Sequence, residues 1–247
     1  MKNQEKISGI HNYCDRWCEK CKFTAQCAIF DKNEVPTDIS DEKFFEDLHQ
    51  IFSDTLKMIK ETIEEAGEDW DIFVEEAKET EIKEPEFTDH QKSVIDLSES
   101  YHKTVHDWFT LNKDYLKSKE SEYNNSLEMG VDIMKKANEI LNAIDVIQWY
   151  LYFINVKIVR AFTGLDGNDE LFDGFEEDLI QNDNNGSAKI AKIAIDKSIA
   201  AWEVLYRYFS EKADEILDIL VVLSKIKKGL MKELPDLDKF IRPGFDE

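Results

Sequence analysis

Outside one fourteen-residue stretch, this chain of 247 residues contains no cysteine. Free cysteine packs as a small buried hydrophobe, and a chain that uses it for its core scatters it; that use is excluded here. Proline (4) and glycine (9) are also scarce, which excludes a loop-rich or collagen-like chain and leaves long stretches free to be helical. Positive charge is in short supply, with 31 Lys and Arg against 53 Asp and Glu and a net charge of -22. Such a surface repels phosphate backbones and anionic headgroups, so neither nucleic acid nor a membrane surface is expected as a partner, while a basic protein remains one. The longest apolar run, Val146 to Phe162, is interrupted by Gln148, Asn155, Lys157 and Arg160, so no membrane span is expected. Met1 to Gly9 is polar with no apolar stretch behind it, so no export signal is expected and the location reads as cytoplasmic. An internal repeat, a phosphate-binding loop, a dinucleotide glycine motif and a nucleophile elbow are all missing, and with them the motif signatures of several large enzyme classes.

What the chain does have is apolar residues recurring at three and four, the pattern of amphipathic helices. Helices are expected over about 41–66 (Phe44, Phe45, Leu48, Ile51, Phe52), 69–79, 88–119, 127–162, 187–209 and 213–231. The Asn124-Asn125 pair is an expected bend, and the 127–162 helix, the most apolar, is expected to be buried on most sides. An acidic loop fills 163–186, and Phe240, Ile241 and Phe245 are expected to dock the tail. The fold class is therefore all-α: a helical bundle of about five long helices with an N-terminal cysteine-rich knot. Residues 1–40 read as the cluster-binding segment and linker, and 41–247 as the bundle with its docked C-terminal tail.

The four cysteines, Cys14, Cys18, Cys21 and Cys27, are spaced C-x3-C-x2-C-x5-C. In a reducing cytoplasm, thiols gathered in one segment point to a metal more than to disulfides. Zinc sites usually pair two hooks across a longer loop, and no second hook is set at a distance here. An iron–sulfur cube can be held by cysteines on consecutive turns. A [4Fe-4S] cluster is thus the expected cofactor, with zinc as the alternative. The C-x3-C-x2-C portion has radical-SAM spacing, but that chemistry needs an open iron and a barrel of strands; four cysteines and no strand pattern argue against it. Arg16, Lys20 and Lys22 would offset thiolate charge, and Trp17 and Phe23 would shield a cluster from water.

Cys18, Cys21 and Cys27 match the last three cysteines of a loop with the pattern C-x6-C-x2-C-x5-C, while Cys14 sits three residues closer. On these fourteen residues the segment resembles the [4Fe-4S] cluster loop of helix-hairpin-helix DNA glycosylases. The resemblance implies the cluster and not the activity, since that loop lies at the other end of those chains and no catalytic hairpin is present. The chain as a whole resembles a group of bacterial all-helical proteins with an N-terminal four-cysteine motif and a C-terminal Arg-Pro-Gly-Phe, here Arg242 to Phe245. That resemblance implies no particular activity.

A second constellation is Glu99, His102 and His106, whose E-x2-H-x3-H spacing puts all three on one helix face. Glu-x-x-His is half of the carboxylate-bridged di-iron signature of ferritin-like bundles. A second Glu-x-x-His is missing, so completion of a site would fall to Asp145, Glu203 and His49. The competing reading is a solvated or hydrogen-bonded helix edge. Asn142, Asp145, Gln148, Tyr152 and Asn155 form a polar stripe that would line a pocket or pair with Lys157, Arg160, Lys192 and Lys197. The loop from Asp166, with Glu177 at its twelfth position, resembles a calcium loop but has Leu171 where the turn needs glycine, and reads as a solvated acidic loop. Three functions follow. The first is an iron–sulfur protein for electron transfer or redox sensing, with a redox or regulatory protein partner or a small-molecule ligand at the bundle. The second is a zinc- or cluster-stapled interaction module. The third is an oxidoreductase with a second metal at Glu99, His102 and His106.

Overall fold

The computed structural model describes residues 5–30, 42–65, 67, 69–79, 85–129, 132–163, 165 and 179–246. Among them all regular structure is helical, as expected of an all-α chain. The α-helices are α1 (Glu42–Glu65), α2 (Trp70–Glu79), α3 (Asp89–Leu111), α4 (Lys113–Glu128), α5 (Met134–Phe162), α6 (Asp183–Tyr208) and α7 (Ala213–Glu233). The expected linker over 31–40 and the calcium-like loop from Asp166 lie outside the described residues. None of the helices is long and apolar enough to cross a membrane, among the described residues.

Two compact units make up the chain, one of Met1–Lys6 and Phe23–Glu84, the other of Ile7–Lys22 and Pro85–Glu247. The boundary falls inside the cysteine stretch, between Cys21 and Cys27. In the first unit α1 and α2 follow each other around Gly67, whose φ of +87° suits glycine. Exposed i,i+4 pairs, Lys57–Glu61 and Lys60–Glu64, lie along α1, and Trp70 stacks on Phe73 at the start of α2.

In the second unit α5 packs along α6, α6 against α7, α7 against α3 and α3 against α5, closing four helices into a ring. The alanines at 188, 191, 194 and 201 are buried along α6, and their small side chains permit the close approach expected from sequence. Trp202 is fully buried; its ring meets Trp108 edge-on at 5.1 Å and its indole N–H donates to the Tyr101 hydroxyl at 3.3 Å. A Cβ on Gly229 of α7 would stand 2.4 Å from a Val94 methyl of α3, so these two helices touch at a glycine.

Several boundaries depart from the sequence reading, each for a local reason. The expected 88–119 helix starts at a capping box, in which Thr88 and Gln91 satisfy each other's backbone N–H, but it breaks at Asn112 and not at Asn124-Asn125. The buried Asn112 side chain donates to the Trp108 carbonyl at 3.0 Å and to Glu215 of α7 at 2.9 Å. That competition with the backbone, anchored by a neighbouring helix, ends α3. Asn124 and Asn125 are exposed and stay within α4. The helix expected from 127 therefore starts at Met134. The polar run before Ser187 is the first turn of α6, because Asn182 accepts the Asn185 N–H at 2.9 Å and caps it. Helix α5 is buried on one stripe only; Leu141, Tyr152 and Val156 are exposed. In the tail, Leu237 and Phe240 are buried and Ile241 is exposed.

Candidate functional site

Residues 7–22, which carry three of the four cysteines, are held within the second unit by contacts that begin at the opposite end of the chain. Gly244 of the Arg-Pro-Gly-Phe sequence has a φ of +72°, and a Cβ there would stand 2.9 Å from Ile7 and 3.1 Å from the buried Ile10. Only glycine meets both demands. Arg242 forks onto Asp246, with Nη2 2.8 Å from Oδ1, and Lys189 of α6 reaches the same carboxylate at 2.8 Å. Burial pushes the Asp246 carboxyl up, but the Arg242 and Lys189 hydrogen bonds outweigh it and hold the group well below the usual carboxylate range. The tail is thus fixed as a turn against which the N-terminal segment rests.

Tyr13 comes next. Its ring meets Phe240 edge-on at 4.6 Å, and its hydroxyl donates to Asp183 at 3.1 Å. Burial, then the neighbouring Asp183 carboxylate, pushes the phenol up to about 12. Asp183 also receives both arms of Arg160, at 2.8 and 2.9 Å. The ring lies on Gly186 in the first turn of α6, where a Cβ would come within 2.4 Å of it and 2.7 Å of Phe240.

The third anchor sits between the first two cysteines. The Asp15 carboxylate accepts from the Tyr150 hydroxyl at 2.6 Å, from Lys197 at 2.9 Å and from the Trp17 N–H at 3.3 Å, and the Asp15 carbonyl accepts from the Trp149 indole at 2.9 Å. Burial pushes this carboxyl up; the bonds from Tyr150 and Lys197 more than offset that and hold it below its ordinary range. Burial, and then Asp15, push the Tyr150 phenol up. Trp17 stacks on Trp149 at 4.8 Å and 13°, and Lys20 lies 3.7 Å above the Trp17 ring. Between these anchors Arg16 is held at a φ of +58°, a conformation that costs energy in a side-chain-bearing residue and persists only where neighbours impose it.

The thiols hang from this frame. Cys14 donates to the His11 carbonyl at 3.5 Å. Cys18 opens a 3₁₀ turn in which the Cys21 N–H returns to the Cys18 carbonyl at 3.1 Å. In the first unit a second such turn, Thr24–Gln26, brings the Cys27 N–H to the Thr24 carbonyl at 3.3 Å, and Lys6 donates to the Cys27 carbonyl at 3.1 Å. All four cysteines are half-buried and none forms a disulfide. Lys157 of α5 is 9% exposed. Burial, then Arg160 and Arg16, push its amine below the usual lysine range, while Asp183 and Cys14 act in the other direction. In a chain of net charge -22, three cations, Arg16, Lys157 and Arg160, thus lie close enough to act on one another, and the first of the cysteines lies close enough to act on Lys157.

As a donor set, four unbridged and partly shielded thiols suit a soft metal or an iron–sulfur cluster. Their arrangement does not by itself enclose one: among the described residues, no three His, Cys, Asp or Glu side chains stand together as a metal-holding group. The same holds for the second constellation. Glu99 and His106 are exposed on α3, and His102 is half-buried with its ring 4.1 Å from Tyr152 and its Nε2 enclosed without a partner. Asp145, Glu203 and, in the first unit, His49 are exposed. Most of the polar stripe of α5 faces outward; Asn155 turns to Ser98 at 2.8 Å. Of the four cations expected to pair with that stripe, three are engaged elsewhere, Arg160 with Asp183, Lys192 with Asp238 and Lys197 with Asp15.

Sequence reasoning assigned Arg16, Lys20 and Trp17 to the surroundings of the thiols but missed Tyr13, Asp15, Trp149 and Gly186, which seat the segment. A glycine in the first turn of an otherwise regular helix was the one readable sign, since it costs helix stability unless something packs on it. Compared with known proteins, the chain matches no family model, no curated protein and no solved structure.

Proposed function

We propose that Cys14, Cys18, Cys21 and Cys27 bind a [4Fe-4S] cluster as thiolates and that the protein serves electron transfer or redox sensing in the cytoplasm with a protein partner. The observation that carries this reading is the confinement of all four thiols, unbridged and half-buried, to fourteen residues. Lys157 would offset thiolate charge at Cys14, and the Trp17–Trp149 stack covers the chain next to Cys18. The seat supplied by Asp15 and Tyr13 holds the segment's backbone, so that closing the site requires movement of the thiols and of the short turns that carry them. Such a cluster, once bound, would supply one-electron chemistry. With four protein ligands it would leave no iron open to substrate.

A structural staple, of zinc or of a cluster, is the second reading. The tight Cys18–Cys21 turn favours it, because C-x2-C hooks of this kind also hold zinc. The two readings separate on electron paramagnetic resonance of the anaerobically purified chain. Electron transfer requires a signal that appears on reduction and is reversed by reoxidation, with recovery of the brown colour. A colour that survives reductant unchanged, or is lost irreversibly, contradicts a redox role and supports a staple.

A further inference from the structure

A cavity of about 460 Å³ opens between α4 and the N-terminal half of α5, within the roughly 300–1,000 Å³ range of small-molecule pockets. It arises from the break at Asn112. Beyond that residue α4 departs from the ring of four helices, and none of its own side chains is buried. Leu116 of α4, Ile140 and Ile144 of α5, and Phe109 and Phe209 give the cavity an apolar wall. Its charged residues are Lys113, Lys117, Lys119 and Glu120, a sign opposite to that of the chain as a whole. Lys119 is occupied by Glu122 at 3.1 Å and Glu211 at 3.4 Å. Lys113 and Lys117 lie one turn apart on α4, are exposed, and form no ion pair among the described residues. Lys113 and Lys117, four residues apart on one helix face, thus present two ammonium groups beside an apolar chamber.

We infer that this cavity binds a single-chain amphipathic carboxylate, its hydrocarbon tail against Leu116, Ile140 and Ile144 and its head at Lys113 and Lys117. An anionic head matches the two ammonium groups, and the tail removes apolar wall from water. At about 460 Å³ the site is of small-molecule size. The inference is independent of what the cysteines bind.

Oleate is the probe. Calorimetric titration of the full chain is expected to show one oleate per chain. Lys113→Gln/Lys117→Gln alters only exposed side chains, and is expected to weaken oleate about tenfold while leaving the neutral oleyl alcohol unaffected. Ala137→Trp fills the chamber from the first turn of α5 and is expected to abolish binding of both, with circular dichroism confirming that the fold persists; should it unfold, the glutamine pair decides alone. Equal oleate affinity in the parent and the glutamine pair overturns the inference, as does a parent that binds no oleate. A parent that sediments as a dimer, made monomeric by Ala137→Trp and indifferent to oleate, also overturns it and assigns the surface to a second copy.

Discussion

Replacing Asp15 by alanine is expected to unseat the cysteine segment and to destabilise the second unit by about 2–3 kcal/mol. The carboxylate is the acceptor for Tyr150, Lys197 and the Trp17 N–H. Hydrogen bonds to a charged group contribute about 1.5–3 kcal/mol, and a buried donor left without its partner costs its desolvation in full. Lys197 is half-exposed, so its share is screened and small; the greater part comes from Tyr150, which is fully buried. Hydrogen exchange read by mass spectrometry over 14–22 is expected to rise together with the loss of stability, because the Trp17–Trp149 stack depends on the same anchor. Asp15→Asn, which keeps the shape and one acceptor, should cost less. The pH dependence has a defined sign. Folding holds the Asp15 carboxyl below its ordinary value, about 3.9, so its stabilisation is fully present above that pH and is lost as pH falls through the lower folded value. The alanine variant should therefore lose part of the parent's acid sensitivity. An Asp15→Ala variant with parental stability and parental exchange over 14–22 would show that the segment is held by something else.

A side chain at Gly186 is the second large perturbation. Valine there places its Cβ 2.4 Å from the Tyr13 ring and 2.7 Å from Phe240, and neither ring can yield without losing its seat on the other. Overpacking of this kind costs about 1–3 kcal/mol, and the branched side chain should bring Gly186→Val toward the upper end. Gly186→Ala is partly compensated by the helix propensity that alanine gains over glycine, about 1 kcal/mol. The clash can be isolated by a double-mutant cycle. In a Tyr13→Ala background the 2.4 Å contact is gone and Phe240, 2.7 Å away, has the vacated space to shift into, so Gly186→Ala should cost less than in the parent. If it costs the same in both backgrounds, Tyr13 is not the group that requires glycine.

The helices were legible because apolar spacing is a local property. The core of Trp108, Ile147, Ile195, Trp202 and Leu223 lies on the stripes that the sequence marks. The break at Asn112 was not legible, since what makes it a breaker is Glu215, more than a hundred residues away and placed by tertiary packing. Asn124-Asn125 looked equally disruptive, yet both side chains are exposed and the pair stays within α4. The cysteines were legible as a group from their confinement, whereas their seat was not. It joins Tyr13 and Asp15 to residues of α5, α6 and the tail, and a glycine required by a ring from elsewhere looks like any other glycine until the ring is placed. The Arg-Pro-Gly-Phe sequence belongs with these. Its glycine receives Ile7 and Ile10, so the two stretches singled out at opposite ends of the chain pack together.

Iron and acid-labile sulfide measured per chain after anaerobic purification test the four-thiolate cluster most directly. About four of each are expected in the parent, with both lost in Cys18→Ser while the helical content of the second unit is kept. A colourless parent holding one zinc per chain, or a Cys18→Ser variant that retains its iron and sulfide in full, would contradict it.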